Sequence, residues 1–469
     1  MSDVMEVSAN AEAQAGRVPD ERRTLTGFDL AVLWADLGIG LLVIVSGGLL
    51  VPGLGFSEAM IAIVLGSAIG VALLALGSAA GAQHGLPTMV LFRPVLGIRG
   101  SWLPSVLNCA QLVGWTAVEF WAMSLVANLV GRQVFGFDAR PMWLVVAAVV
   151  CAGLALWGPV EVVRVWLKRF GAWVTAGICA AVTVLSFGAD GITAALTAPG
   201  EGGWPTFGAG LDLVIAMPVS WLPLVADYSR YSNGPRAAFI GTFWGYFLAN
   251  VWLYTIGVLL VLGGATSDPA GIAAGVLALA GGTVAGILFL VGLLVGETDE
   301  AFADIYSGAV SLRNIFPNVS QAALVIAITA VGALLAAWLD MAKYESFLFL
   351  LGSVFVPLFG VLAADHYVNR RGKIHVESLY SGTGRYWFGG GVRARAVFPW
   401  LAGFVVYQWV QPTGPAWWLD AVGVFTDAPL WTEVPWLSAS ILSFAVAFLL
   451  ALSPRRLSSR DSSRLRGDR

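Results

Sequence analysis

The chain alternates between long apolar stretches and short polar segments over most of its length. Twelve of the stretches approach the length of about 20 apolar residues with which a helix crosses a bilayer. The predicted spans lie near residues 28–50, 57–82, 101–131, 141–158, 165–187, 209–228, 236–263, 283–312, 320–340, 344–366, 396–412 and 435–452. The pattern therefore predicts an all-α polytopic membrane protein with twelve transmembrane helices.

Two of the predicted spans are interrupted. The sixth contains Pro218 and Pro223 within LDLVIAMPVSWLPLVADYSRY, and each proline removes a backbone donor from a helix. The first contains Asp36, Gly38 and Gly40 within an otherwise apolar run. Broken backbone at membrane depth must be buried in protein or line a cavity. Interrupted segments at matching places in two halves of a chain point to the binding site of a secondary transporter, so we expect the first and sixth helices to be broken beside a ligand.

The composition excludes a water-soluble globule. Hydrophobic residues make up 58% of the chain and charged residues 12%, whereas soluble domains carry about 25% charged residues. The sequence contains no phosphate loop and no nucleotide-binding fingerprint. We therefore expect no enzyme activity, no cofactor and no nucleic-acid partner. A membrane receptor or scaffold that transports nothing is the alternative of a different class.

The basic residues are distributed unequally between the two sides of the predicted membrane. With both termini inside, 23 lysines and arginines fall in inner segments, and 3 fall in outer segments, namely Arg132, Arg140 and Lys343. The positive-inside rule predicts this asymmetry. We therefore expect a multi-pass protein of the plasma (inner) membrane, with cytoplasmic tails at residues 1–27 and 454–469.

The third predicted span carries a carboxyl group near its middle. A carboxylate at bilayer depth needs a polar partner, a cavity or a proton, and Glu119 occupies such a position. Trp115 lies four residues earlier and therefore on the same helical face. An aromatic ring beside a hydrogen-bond acceptor suits a flat polar heterocycle. The alternative is a packed tryptophan and a glutamate bonded to a neighbouring helix.

The eighth predicted span carries four acids within eight residues, Glu297, Asp299, Glu300 and Asp304. On a helix, Glu297, Glu300 and Asp304 share one face. Thr298 and Asp299 project to another side, so the two acidic faces could bind an organic ligand and a cation. Because four carboxylates cannot all be ionised in a small dry volume, some must be protonated or paired. The alternative is a loop with solvated acids.

Three strings resemble the nucleobase–cation symporter-1 family: GAQHGLPTMVLFRPVLGIRGSWLPSVLNCAQLVGWTAVE, SWLPLVADYSRY and DIYSGAVSLRNI. The resemblance covers nearly the whole chain and is strongest to the branch of cytosine and hydroxymethylpyrimidine permeases, where PLVADYSRY is typical. It implies a five-plus-five inverted repeat of the leucine-transporter type. The repeats would be residues 28–187 and 209–366, followed by two extra helices within residues 396–452.

The resemblance also implies which side chains bind the substrate. The family positions fall on Trp115, Glu119, Trp221 and Asp304. The two tryptophans would enclose the ring, and the two acids would accept hydrogen bonds from its N–H groups. We therefore expect a cation-coupled symporter that imports a nucleobase-like pyrimidine, such as cytosine or hydroxymethylpyrimidine, by alternating access. A purine or a hydantoin- or allantoin-like substrate is the second transport alternative.

The resemblance leaves two candidates for the coupling ion. The family's cation-coordinating hydroxyl pair falls on Thr298 and Asp299, and the second is a carboxylate where sodium-coupled members carry a hydroxyl. Sodium bound at these two residues is one expectation, and a proton is the other. The interrupted first span would contribute near Asp36 and Gly38, although Asp36 could instead face a wet vestibule. Stoichiometry and oligomeric state stay open at this stage.

Overall fold

The protein is helical wherever its structure is described. The computed structural model describes residues 16–158, 172–188, 191–281, 284–339, 341–423 and 429–452. These residues form helices, turns and loops but no β-strand. The predicted tail at residues 454–469, most of the tail at 1–27 and the start of the fifth predicted span lie outside the described residues.

Twenty helices follow one another in the described parts of the chain. They are α1 Gly27–Asp36, α2 Leu41–Gly48, α3 Phe56–His84, α4 Thr88–Leu91, α5 Arg93–Leu96, α6 Trp102–Phe135, α7 Arg140–Trp157, α8 Ala172–Phe187, α9 Ile192–Thr197, α10 Phe207–Ser220, α11 Val225–Ser229, α12 Pro235–Leu262, α13 Pro269–Leu279, α14 Val284–Arg313, α15 Gln321–Ala336, α16 Tyr344–Ala363, α17 Ala394–Val410, α18 Ala416–Gly423, α19 Leu430–Glu433 and α20 Ala439–Ala451. A π-helical turn over Ala364–Asn369 extends α16. Shorter 3₁₀ turns cover Asp20–Arg22, Met341–Lys343 and Val376–Leu379.

Several of these helices are long and apolar enough to cross a membrane. Six spans among the described residues meet that description, namely α3, α6, α7, α10 with α11, α12, and α16 with its π turn. The bent pair α1 and α2 makes a seventh if it counts as one span. The acid-rich α14 is a continuous helix of 30 residues. The alternative that its acids lie in a solvated loop is therefore wrong, because the helix buries all four of them.

The first hydrophobic segment is two helices at an angle. α1 and α2 meet at 62° across residues 37–40. The first N–H groups of a helix lack intrahelical acceptors. Here the Glu297 carboxyl of α14 accepts from Leu41 N–H at 2.5 Å and from Leu42 N–H at 3.4 Å. A carboxyl group from a neighbouring helix thus caps the second half of the segment.

The sixth hydrophobic segment changes conformation at residues 221–224. α10 continues through Pro218 and ends at Ser220, and the short helix α11 begins at Val225. Amide side chains of α6 bond the exposed backbone, because Gln111 donates to the Ser220 carbonyl at 2.9 Å and Asn108 to the Pro223 carbonyl at 3.4 Å. Buried protein groups therefore satisfy the irregular backbone, as its depth requires.

The bundle is held together by close helix contacts. α12 packs along α1, α2 and α3, while α14 packs along α6 and α10 along α3. Gly241 and Gly245 of α12 lie directly against the backbone of Gly27 and Ala31 in α1, so a methyl group at either glycine would collide with it. Small residues allow such close approach of membrane helices. At the other end of the fold, α20 packs on α16 and α17.

A buried carboxylate fastens α10 to the last helix. Asp212 accepts hydrogen bonds from Ser438 Oγ at 2.5 Å, Ala439 N–H at 2.7 Å and Ser440 N–H at 3.0 Å. These groups form the N-terminus of α20, where free N–H groups and the helix dipole both favour an anion. The start of the sixth hydrophobic segment is thereby fixed to the C-terminal helices.

Candidate substrate-binding site

A small buried cavity lies between α6, α10 and α14. Its volume is about 10 Å³, which is room for about one water molecule, and it is lined by Trp115, Glu119, Met217, Ser220, Trp221, Glu300 and Asp304. The structure therefore brings together the four residues that the resemblance assigns to substrate. Met217, Ser220 and Glu300, which are not among the predicted substrate residues, join them. The sequence feature that could have placed Glu300 in the site is its position on the same face of α14 as Asp304.

The two tryptophans are positioned by other aromatic rings. Trp115 contacts Tyr344 and Phe347 edge to face, with centroids 6.0 and 5.2 Å apart, and Trp221 contacts Trp34 in the same way at 6.0 Å. The Trp115 indole N–H is buried and meets no acceptor. Trp115 thus both packs against its neighbours and presents an unused donor in the cavity wall.

The two predicted acids of the cavity contact each other. The carboxyl groups of Glu119 and Asp304 lie at hydrogen-bonding distance from each other, between α6 and α14. Because an ionised carboxylate has acceptors but no donor, they can bond to each other only when one of them is protonated. The second oxygen of Glu119, Oε2, meets no donor. Glu119 therefore faces a neighbouring helix, as in the structural alternative, and still offers an acceptor beside the cavity.

The third carboxyl group of the cavity belongs to Glu300. It is 3% exposed, and its Oε1 meets no hydrogen-bond donor. A side chain at Gly40 would occupy the place of this carboxyl group, so the glycine allows α14 to approach the interrupted first segment. Glu297 on the same face caps α2, and its Oε1 and the Glu300 Oε1 both lie against Gly40.

A second carboxyl pair lies on another side of α14. Asp36, the last residue of α1, is 1% exposed, and neither of its oxygens meets a donor. The group that faces it is the Asp299 carboxyl, at hydrogen-bonding distance. Two carboxyl groups can share a hydrogen bond only when one is protonated. The structure therefore places Asp299 beside the interrupted first segment.

The other predicted coupling residues have different contacts. The Thr298 hydroxyl donates to the Leu294 carbonyl of its own helix at 2.7 Å. Gly38 packs against Ala249 of α12, and its N–H donates to the Ala35 carbonyl at 3.3 Å. Within the described ranges, no three His, Cys, Asp or Glu side chains are arranged to bind a metal ion.

The sequence matches a family of permeases. The family model described as "permease for cytosine/purines, uracil, thiamine, allantoin" matches residues 17–425. A hydantoin permease of Microbacterium maritypicum is 26% identical, over 79% of this chain and 78% of its own length. An allantoin permease of Bacillus subtilis is 26% identical over 82% and 84%, and a cytosine permease of Escherichia coli is 27% identical over 70% and 74%.

Solved transporters share the fold. The nucleobase-cation-symport-1 family transporter Mhp1, in a closed conformation with bromovinylhydantoin bound, superposes with a TM-score of 0.80 at 21% identity and covers 94% of each chain. A sodium-coupled sialic acid symporter superposes with a TM-score of 0.61 at 12% identity and covers 97% of this chain and 96% of its own. The chain therefore belongs to the family of permeases for cytosine/purines, uracil, thiamine and allantoin, within the nucleobase–cation symporters, and is a membrane transporter rather than an enzyme.

Proposed function

We propose that this protein is a cation-coupled symporter that imports a nucleobase-like pyrimidine, such as cytosine or hydroxymethylpyrimidine, by alternating access. The observation that carries the proposal is the buried cavity beside the turn at residues 221–224, with tryptophans and carboxyl groups in one wall. The protein would lie in the plasma membrane with both termini in the cytoplasm. Family membership supports the transport of a heterocycle but does not identify the compound. The choice of compound is argued from the residues of the cavity.

The chemistry of the cavity favours a ring that carries an amino group. Trp115 and Trp221 would enclose the ring, and Glu119 and Asp304 would accept its N–H groups. A carboxylate accepts hydrogen bonds from N–H groups, and the amino group of an aminopyrimidine is such a donor. A hydantoin- or allantoin-like ring, or a purine, is the second candidate, since the unused Trp115 N–H could donate to a ring carbonyl.

The proposed architecture has twelve spans. Residues 28–187 and 209–366 would form two inverted repeats of the leucine-transporter type, and residues 396–452 would add two helices. Each repeat would begin with an interrupted segment, at residues 37–40 in the first and at 221–224 in the second. The superposition on Mhp1 over 94% of the chain supports this arrangement.

The coupling site would be the pair of Asp36 and Asp299, with a proton as the preferred ion. A proton supports this proposal because it would remove the repulsion between two facing carboxylates. The carbonyl groups of Ala35 and Asp36 accept hydrogen bonds from the N–H groups of Gly38 and Ile39, at 3.3 and 2.9 Å. These two carbonyl groups are therefore engaged in the local turn. Sodium bound by Thr298 and Asp299 is the alternative, because carboxylate and hydroxyl oxygens suit hard cations.

An uptake panel tests the proposed function. Purified protein in liposomes would receive radiolabelled cytosine, hydroxymethylpyrimidine, uracil, adenine and allantoin, with and without ionophores that collapse the proton or sodium gradient. We expect accumulation of an aminopyrimidine that a protonophore abolishes. A receptor or scaffold would show neither accumulation nor exchange of any compound, and protein-free liposomes provide the baseline.

A further inference from the structure

A second cavity lies away from the substrate site, where α17 begins and α16 and α20 end. It measures about 280 Å³, and its lining includes Val361 of α16, Asp365 of the π turn, Ala396 of α17 and Leu450 of α20. α16 with its π turn is long and apolar enough to cross a membrane, and the sequence predicts a span for each of the other two helices. The cavity therefore lies at the boundary between the apolar and polar surroundings of three membrane helices.

The polar rim of this cavity has an excess of positive charge. Asp365 pairs with Arg370 and, at 2.9 Å, with Arg393. Arg395 also lines the cavity, and it is exposed. In the described part of the chain, its guanidinium group meets neither a hydrogen-bond acceptor nor a carboxylate. These four side chains hold three guanidinium groups and one carboxylate, so they carry two positive charges in excess.

The arginines of the rim keep hydrogen-bond donors available. Arg393 uses its Nη1 atom, which donates to Asp365 Oδ1 at 2.9 Å and to the Val95 carbonyl at 3.4 Å. Among the described residues, its Nε and Nη2 atoms meet no acceptor, and neither does the side chain of Arg395. A guanidinium group presents its N–H groups in a planar fork that matches the oxygens of a phosphate. The rim is therefore suited to a phosphate group.

Next to this rim, the surface of the bundle is apolar. Pro399 and Leu450 line the cavity. Along α17, Phe398, Leu401 and Val405 are 64, 53 and 62% exposed. Their spacing places them on one face of the helix. Because α17 is a predicted membrane span, this exposed face would meet the acyl chains of the bilayer. A basic rim thus adjoins a surface that lipid covers.

We propose that this cavity binds an anionic phospholipid. The phosphate group binds Arg393 and Arg395, and the acyl chains lie along the exposed face of α17. Basic pockets between membrane helices favour anionic head groups. A zwitterionic phospholipid also carries a phosphate, but the excess positive charge of the rim repels the cation of its head group. This site is separate from the substrate cavity, and the inference goes beyond the proposed function.

A lipid titration of the full-length protein tests the inference. Purified protein in detergent receives phosphatidylglycerol or phosphatidylcholine with identical acyl chains, and native mass spectrometry measures the fraction of protein that retains a lipid. We expect phosphatidylglycerol to bind at least about tenfold more tightly, equivalent to about 1.4 kcal/mol. Equal affinity for the two lipids overturns the inference.

An Arg395→Gln variant assigns the preference to this cavity. The affinity for phosphatidylglycerol should fall about fivefold, which is the contribution of one arginine near an anionic lipid surface, and the affinity for phosphatidylcholine should stay the same. Arg385→Gln is the matched control, because Arg385 is an exposed arginine of the loop before α17. The six arginines after Ser453 are the same in both variants.

The remaining outcomes decide against the site. Equal losses of affinity in Arg395→Gln and Arg385→Gln would assign the preference to the general surface charge. Spectra that show dimers without retained lipid, in a proportion that Arg395→Gln lowers, would assign this face to a second copy of the chain. Either result overturns the inference. None of these measurements depends on transport, so the proposed function stands or falls separately in the uptake panel.

Discussion

At the residue scale, the cavity depends on side chains whose positions are fixed by their neighbours. Trp115 is held by the rings of Phe347 and Tyr344, and Glu119 is held by Asp304 across the interface of α6 and α14. Ordered side chains lose little further entropy when a ligand binds. The binding side chains are therefore held in place, but the space of about 10 Å³ among them must widen before a ring can enter.

Truncation of either tryptophan should weaken substrate binding. Trp115→Ala or Trp221→Ala removes an aromatic face, and stacking of a base on an aromatic side chain contributes about 1–3 kcal/mol. Phenylalanine at either position should retain part of the affinity. Equilibrium binding of the radiolabelled substrate measures the change, with Trp338→Ala as the control because Trp338 is 87% exposed. Wild-type affinity in both alanine variants would assign the tryptophans to packing alone.

The two facing acids of the cavity should control selectivity. Glu119→Gln and Asp304→Asn keep the side-chain size but replace an acceptor with a group that both donates and accepts. The amino group of the substrate then loses an acceptor, so aminopyrimidines should compete less well and rings with carbonyl groups relatively better. Competition profiles across the panel measure this shift. An unchanged profile in both variants would mean that the pair serves only to join α6 to α14.

Residue spacing predicted part of this site. Trp115 and Glu119 follow from their shared helical face and their depth, whereas Trp221 and Asp304 were assigned to substrate by the family resemblance. Glu300 could be placed on the same face as Asp304 and Glu297, but the contact of the two glutamates with Gly40 could not be predicted. That contact depends on how closely the first segment approaches α14 at Gly40, which is a tertiary contact with no local signal.

At the scale of elements, the interrupted first segment depends on α14. Its second half begins at Leu41 with N–H groups that the Glu297 carboxyl receives. The negative charge also suits the positive end of the helix dipole. One side chain therefore both replaces the missing backbone acceptors and orients α2 against α14.

Removal of this cap should destabilise the protein. Glu297→Ala leaves two buried N–H groups without an acceptor, and each unsatisfied group costs about 1–3 kcal/mol. Glu297→Gln keeps an acceptor oxygen and should therefore lose less stability than Glu297→Ala. Thermal unfolding in detergent measures both, with Glu201→Ala as the control in an exposed loop. Equal melting temperatures for wild type and Glu297→Ala would show that the cap contributes nothing measurable.

The close approach at Gly40 should not tolerate a methyl group. A β-carbon there would lie 2.8 Å from Glu297 Oε1 and closer still to the Glu300 carboxyl, and overpacking of this kind costs about 1–3 kcal/mol. Gly40→Ala should therefore lower both the melting temperature and substrate affinity. Gly153→Ala is the matched control, because a β-carbon at Gly153 meets nothing within 4 Å. Similar behaviour of the two variants would contradict the described contact.

The sequence predicted the positions of the helices better than the position of the break in the sixth segment. The helices formed close to the apolar stretches, since burial in a bilayer favours helix wherever the chain is apolar. The sixth segment was expected to break near Pro218, but α10 continues through that residue and the turn follows at 221–224. A proline costs one backbone bond, and the buried packing of α10 tolerates that loss.

At the scale of the whole molecule, α14 connects the substrate cavity with the first segment. Its residues contact Glu119 across the cavity, Leu41 at the start of α2 and Asp36 at the end of α1. If Asp36 and Asp299 are the coupling pair, as proposed, movement of α1 and α2 relative to α14 would change their contact. Alternating access would couple the proton to the substrate through this shared helix.

Loss of the shared proton should separate exchange from accumulation. Asp299→Asn removes the second titrating group of the pair, so the variant should exchange internal for external substrate yet fail to concentrate it. Counterflow and gradient-driven uptake in the same liposomes measure the two activities, with Asp268→Asn, in the exposed turn before α13, as the control. Full accumulation by Asp299→Asn would exclude the coupling role. Sodium-stimulated uptake by the wild type without pH dependence would favour sodium over a proton.

The location of the bound substrate tests the central claim most directly. An experimental structure would be determined with cytosine, or with the compound that accumulates best in the uptake panel. The proposed function predicts ring-shaped density between Trp115 and Trp221, with a polar edge within hydrogen-bonding distance of Glu119, Glu300 or Asp304. Density for the ring at another place, with this cavity still closed at a saturating concentration, would contradict it.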